Sequence, residues 1–195
     1  MNGAGAVISY SGETLVASGA DIVEAASGLL DRTSRSDRGD RWLTDVVPVL
    51  ARGSAWIVPL FSAPSSGDVD EEGRRTLDDR ASELGQSITS ACWYNYGEPL
   101  GVALVGRAEG GRIFASELVR TGAKDASWWA VGDSALVLVY YGEPSPAPKS
   151  RMALHVVPVG WVSDRRPTPP KKMPPLDLAW SWADVVALHR APVVG

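Results

Sequence analysis

Few side chains in this chain of 195 residues could do covalent or metal chemistry: the serine of Gly132-Asp133-Ser134, the histidines His155 and His189, and the single Cys92. A serine becomes a nucleophile when a base stands within hydrogen-bond reach and a third group orients that base. Asp184, five residues before His189, is the acid nearest to it in sequence. A metal site asks for three or four donors, and apart from Asp184 neither histidine has a partner at ligand-like spacing. One cysteine excludes an internal disulfide and a four-thiolate centre. Gly3-Ala4-Gly5 lacks the preceding strand and third glycine of a dinucleotide loop, and no Gly-Lys-Ser/Thr phosphate loop occurs. The acids of 68–72 and 78–79 have ordinary roles in a solvated loop and a helix start. The expectation is no cofactor and no metal.

The stretch Gly132-Asp133-Ser134-Ala135-Leu136 is similar to the Gly-Asp-Ser block of the lipase and esterase family named for it, and the resemblance implies a nucleophilic Ser134 in a small hydrolase. The sequence departs from that family in three ways. Its block lies two-thirds of the way along instead of near the N-terminus. Asp184 and His189 are five apart where the family has an Asp-x-x-His pair, and no Gly-Asn oxyanion block follows. Catalysis at Ser134 is therefore the weaker alternative; the preferred reading names no catalytic residue and sees a turn that feeds a strand.

Position along the chain decides what could support such groups. The segment 5–18 alternates around Ser11-Gly12 and reads as a hairpin. The segment 20–33 reads as a helix with Ile22, Ala25, Ala26 and Leu29 on one face. Pro48 and Pro59 interrupt the next two apolar stretches, which predicts edge strands or strand ends. A second helix is expected over 76–91, with Leu77, Ala81, Leu84 and Ile88 at helical spacing. From Cys92 the period changes to two, and 92–96, 100–107, 112–119, 134–141 and 151–162 read as five strands. The segment 135–141, apolar on both faces, is expected at the centre of the sheet, and Pro158 is expected to put the last strand at an edge. The fold class is α+β: a mainly antiparallel sheet, with a five-strand meander in the C-terminal half, and two to three packed helices. Tyr96-Gly97-Glu98-Pro99 and Tyr141-Gly142-Glu143-Pro144 read as one turn chemistry used twice, since glycine permits a positive φ and proline stops a ladder.

Charge is divided along the chain. Residues 145–175 hold six Lys or Arg against one acid, Asp164, a surplus of five, so the remainder carries −9 of the net −4. Such asymmetry points to an interaction tail or to complementary pairing between subunits. A dedicated nucleic-acid binder is disfavoured by a pI near 5.2 and by the lack of interleaved aromatics. The longest apolar run, 135–141, is far short of the ~20 residues of a membrane helix. No basic residue precedes Arg32 and no secretory segment is visible, so a cytoplasmic location is expected, or a virion if the chain is a phage component.

Two domain-level pieces follow: a single α+β domain over 1–164 and, over 165–195, a proline-rich spacer with an amphipathic arm. Five prolines fall between Pro167 and Pro175, and Leu178, Trp182, Val185, Val186 and His189 then share one helical side. The arm either docks on a neighbour or folds back onto its own sheet. Eight tryptophans are a further bias towards surfaces that meet. Together these features favour a non-enzymatic interaction or assembly protein, such as a structural subunit of a phage particle, with a protein partner or further copies of itself. Its expected interface comprises Trp128, Trp129, Trp161, Arg165, Arg166, Lys171, Lys172, Trp180 and Trp182. An immunity or inhibitor protein that caps a partner is the alternative, followed by the Ser134 hydrolase and by a ligand-binding barrel using Trp93, Trp128 and Trp161.

Overall fold

A computed structural model describes residues 6–10, 13–17, 19–30, 41–44, 47–53, 55–62, 71–102, 113–142, 149–162, 178–180, 184–185 and 187. In chain order these form β1 (Ala6–Tyr10), β2 (Glu13–Ala17), α1 (Gly19–Leu30), β3 (Arg41–Thr44), β4 (Val47–Arg52), β5 (Ala55–Ser62), α2 (Glu71–Tyr96), β6 (Leu100–Val102), α3 (Ile113–Arg120), β7 (Ala123–Val131), β8 (Ser134–Gly142), β9 (Lys149–Pro158) and a 3-10 turn (Val159–Trp161). β1 and β2 pair as the expected hairpin. The other strands form one antiparallel sheet in the order β3-β4-β5-β9-β8-β7-β6. The class is α+β, and the sheet is not closed.

Alternation along the central strands sends side chains to two cores. On one face Leu136 and Leu138 of β8, with Leu154 and Val156 of β9, meet Ile22, Val23, Ala26 and Leu29 of α1 and Ala81, Leu84, Ile88 and Cys92 of α2. On the other, Val137, Val139 and Tyr141 meet Phe114 and Leu118 of α3, Val162 after the 3-10 turn, and Leu178 and Trp180. Each fully buried aliphatic side chain contributes about 1.5–3 kcal/mol against exposure, so both faces must be covered. That double cover explains why 135–141 is apolar throughout. Gly19 lets α1 approach α2 closely, because a Cβ there would overlap the backbone of Ser87.

Several expectations are corrected. Residues 92–96 are helical, because α2 runs on until Gly97. There the Gly97 N–H reaches the Trp93 carbonyl at 2.9 Å, and Gly97 takes φ +85°. The helix also starts earlier than expected, at Glu71, where Glu71 and Glu72 suit the N-terminal dipole. Residues 113–120 form α3, a short amphipathic helix whose apolar period a strand can imitate over so few residues. Of the segment 100–107, residues 103–107 lie outside the described residues. Pro158 does not place β9 at an edge: β9 lies between β5 and β8, and the proline is its last residue. Pro59 likewise sits in an interior strand, at a shift of register between Pro59 and Phe61 that accommodates the missing N–H. Finally, the two Tyr-Gly-Glu-Pro runs are different devices. Gly97 ends a helix, whereas Gly142 ends a strand and has no positive φ.

Candidate functional site

Helix α2 is buried on one side only. On its outer flank Ser82, Gln86, Thr89 and Trp93 follow one another at steps of four, three and four, which aligns them along the helix. Tyr140 of β8 rises beside them, and the two walls bound an open groove of about 490 Å³. Gly85 makes the arrangement fit: a Cβ there would overlap the Tyr140 hydroxyl and stand 3.0 Å from its Cζ. Bare backbone thus lets the phenol lie against the helix. Burial raises the Tyr140 pKa, and the carboxylate of Asp125, its register partner on β7, raises it further. The phenol stays protonated at neutral pH. Apart from it the described lining residues include no ionisable group, so they offer neutral hydroxyls and an amide beside an indole. Trp93, in the lining, is 56% exposed, and Tyr94, the next residue of the helix, is 91% exposed.

The serine alternative has a different geometry from the one its chemistry needs. Ser134 opens β8, three positions before Val137, and Val137 is the register partner of His155. Three residues of strand span about 10 Å. An odd separation also points the two side chains to opposite faces of the sheet. The sheet therefore stands between Ser134 and His155. His189 lies outside the described residues.

His155 instead belongs to the second core. It is fully buried, and burial drives its pKa down to about 3, so the imidazole is neutral. Its Nε2 lies 2.6 Å from the Tyr141 hydroxyl, while Nδ1 has no hydrogen-bond partner among the described residues. Phe114 meets its ring edge-on, with centroids 6.4 Å apart. Cys92 is buried among aliphatic side chains, and burial pushes its thiol up to about 12, far from the thiolate that nucleophilic or ligating cysteines require. Among the described residues no group of three or more His, Cys, Asp or Glu is placed to hold a metal ion, and no helix is long and apolar enough to cross a membrane.

The residues expected at an interface are scattered. Trp129 faces the α1 and α2 core; Trp128 and Trp180 lie in the second core; Trp161 is half-buried, with its ring 6.0 Å from that of Phe114. Arg165, Arg166, Lys171, Lys172 and Trp182 lie outside the described residues. Leu178, Trp180 and Val185 of the expected arm are buried within the chain itself. Sequence reasoning named Trp93 but missed Tyr94, Tyr140 and the stripe of Ser82, Gln86 and Thr89. Reading 92–96 as a strand hid that stripe; the spacing from Ser82 to Trp93 was the available signal.

Compared with known proteins, the chain has no match to a family model, to a curated protein or to a solved structure.

Proposed function

We propose that this chain is a non-enzymatic interaction protein that joins a multi-subunit assembly, such as a phage particle, and that it contacts a protein partner through the C-terminal end of α2. One observation carries the reading. Trp56, Trp128, Trp129 and Trp180 are buried in the chain's own cores, yet Trp93 is more than half exposed and Tyr94 almost wholly so, beside an open groove. Exposed indole and phenol rings grouped at one place are the side chains that dominate protein interfaces. The uncharged lining suits a partner's main chain, whose N–H and C=O groups can meet Gln86, Thr89 and Ser90, with an apolar side chain laid on Trp93.

The test compares the native particle isolated from its source with the same particle carrying Trp93→Ala and Tyr94→Ser. Loss of partner mass with an unchanged melting temperature is expected. Val119→Ala, on the exposed side of α3 across the sheet, should change neither. A particle of unaltered mass in the Trp93→Ala and Tyr94→Ser variant would remove this surface from the interface.

A further inference from the structure

Residues 178–180 and 184–185 lie on the domain as a peptide lies in a recognition groove. Leu178 and Trp180 are buried, while Ala179 between them is exposed, the alternation of an extended segment. Trp180 stands edge-on to Tyr141, with ring centroids 5.9 Å apart and planes at 79°. Two side chains of the domain hold the main chain. Arg52 Nε donates to the Ala179 carbonyl at 3.2 Å, and the Glu117 carboxylate accepts the Leu178 N–H. Arg52 also pairs with Asp184 at 3.6 Å, next to the buried Val185. The groove therefore reads two apolar side chains, the backbone between them and an acid further on.

The connection to this segment is long enough in sequence to reach beyond its own chain. Val162 belongs to the same apolar cluster as Leu178 and Trp180, yet residues 163–177 separate them, five of them proline. Covalent geometry alone lets fifteen residues span up to ~50 Å at full extension, at about 3.3 Å per residue. A folded chain of this length has a radius of gyration of only about 16 Å. Charge is divided in a matching way, with a surplus of five positive charges over 145–175 and −9 elsewhere, which draws the basic region of one copy towards the acidic remainder of another.

We infer that the groove formed by Arg52, Glu117 and Tyr141 is an exchange site between copies: residues 178–180 and 184–185 of one chain occupy the groove of a second, making the same Leu178, Trp180, Ala179 and Asp184 contacts in trans. Exchange of an identical element needs no new surface, only a tether that reaches. The inference goes beyond the α2 surface and stands whether or not that surface binds a partner.

The test uses the full chain carrying Arg52→Lys, prepared in ordinary and heavy-isotope forms, mixed in equal amounts and treated with a carbodiimide. This reagent joins the amine introduced at position 52 to the Asp184 carboxylate, with loss of the activated oxygen as a urea. Crosslinked peptides with one heavy and one light half are expected, in a share that rises with protein concentration. A crosslink that forms only within one isotope form at every concentration overturns the inference. If no crosslink forms at all, light scattering on the unsubstituted chain decides. A dimer at concentrations up to ~1 mM, the order a tether supplies within one chain, that is lost on Trp180→Ala, or on Trp180→Phe where the alanine variant does not fold, upholds exchange. A monomer throughout, or a dimer indifferent to the substitution, overturns it.

Discussion

The Tyr141 hydroxyl and Nε2 of His155 lie 2.6 Å apart on neighbouring central strands, sealed beneath α3 and Trp180, and they form a polar pair inside an otherwise apolar core. Because Nδ1 of the same ring has no partner among the described residues, Tyr141→Phe leaves the buried imidazole with neither nitrogen satisfied by them. The expected loss is about 1–3 kcal/mol, read as a lower urea midpoint at unchanged slope. Adding His155→Leu should recover part of it, since replacing both partners removes the orphaned polar groups together. A double-mutant cycle that shows no coupling between the two positions would mean that the pair contributes nothing as a pair.

The same burial fixes the sign of a pH dependence. His155 takes up a proton near pH 6.5 when unfolded but only near pH 3 when folded, because the charged ring cannot be solvated in the core. Below pH 6.5 the unfolded chain therefore binds more protons, and stability falls as pH falls, by about 1.4 kcal/mol per unit at full slope from this one group. The contribution is intact above pH 6.5 and exhausted below about 3. Urea midpoints between pH 7 and 5, where ordinary carboxylates are largely ionised, should drop in the parent chain and stay nearly flat in His155→Leu. Equal slopes in the two would assign the effect to other groups.

The elements legible in the sequence were those whose pattern had one physical explanation. Ile22, Ala26 and Leu29 repeat at a helical interval, and 135–141 is apolar on both faces, so α1 and the central strand could be read directly. Residues 92–96 and 112–119, read as strands, were not legible. Five to eight residues fit either period, and tertiary packing of Cys92, Phe114 and Leu118 decided for helix. Proline was misread at Pro59 and Pro158 because a register shift or a strand end serves as well as an edge. The groove depended on Gly85 approaching Tyr140 from 55 positions away, a closeness that no local spacing encodes.

Cys92 should resist alkylation. Its thiol is enclosed by the first core and its pKa is pushed up to about 12 by that burial, so almost no thiolate exists at pH 8. Iodoacetamide at pH 8 should leave the native chain unmodified and label it stoichiometrically in urea. Labelling of the folded protein at the rate of a free thiol would show that the last turns of α2 open from the sheet.

Gly85 offers a test in which two effects of opposite sign can be separated. In a helix interior alanine is favoured over glycine by about 1 kcal/mol, because glycine loses more backbone entropy on folding. At this position a Cβ would overlap the Tyr140 hydroxyl, and overpacking of this kind costs about 1–3 kcal/mol. Gly85→Ala alone should therefore be destabilising or at best neutral, with the phenol pushed into the groove. In a Tyr140→Ala background the obstacle is gone, and the same substitution should become stabilising by up to about 1 kcal/mol. Such a reversal of sign, measured by urea unfolding of the four chains, would locate the contact at this pair. If Gly85→Ala stabilises the parent as much as the Tyr140→Ala chain, then Tyr140 does not lie against α2, and the wall it lends to the groove is lost with it.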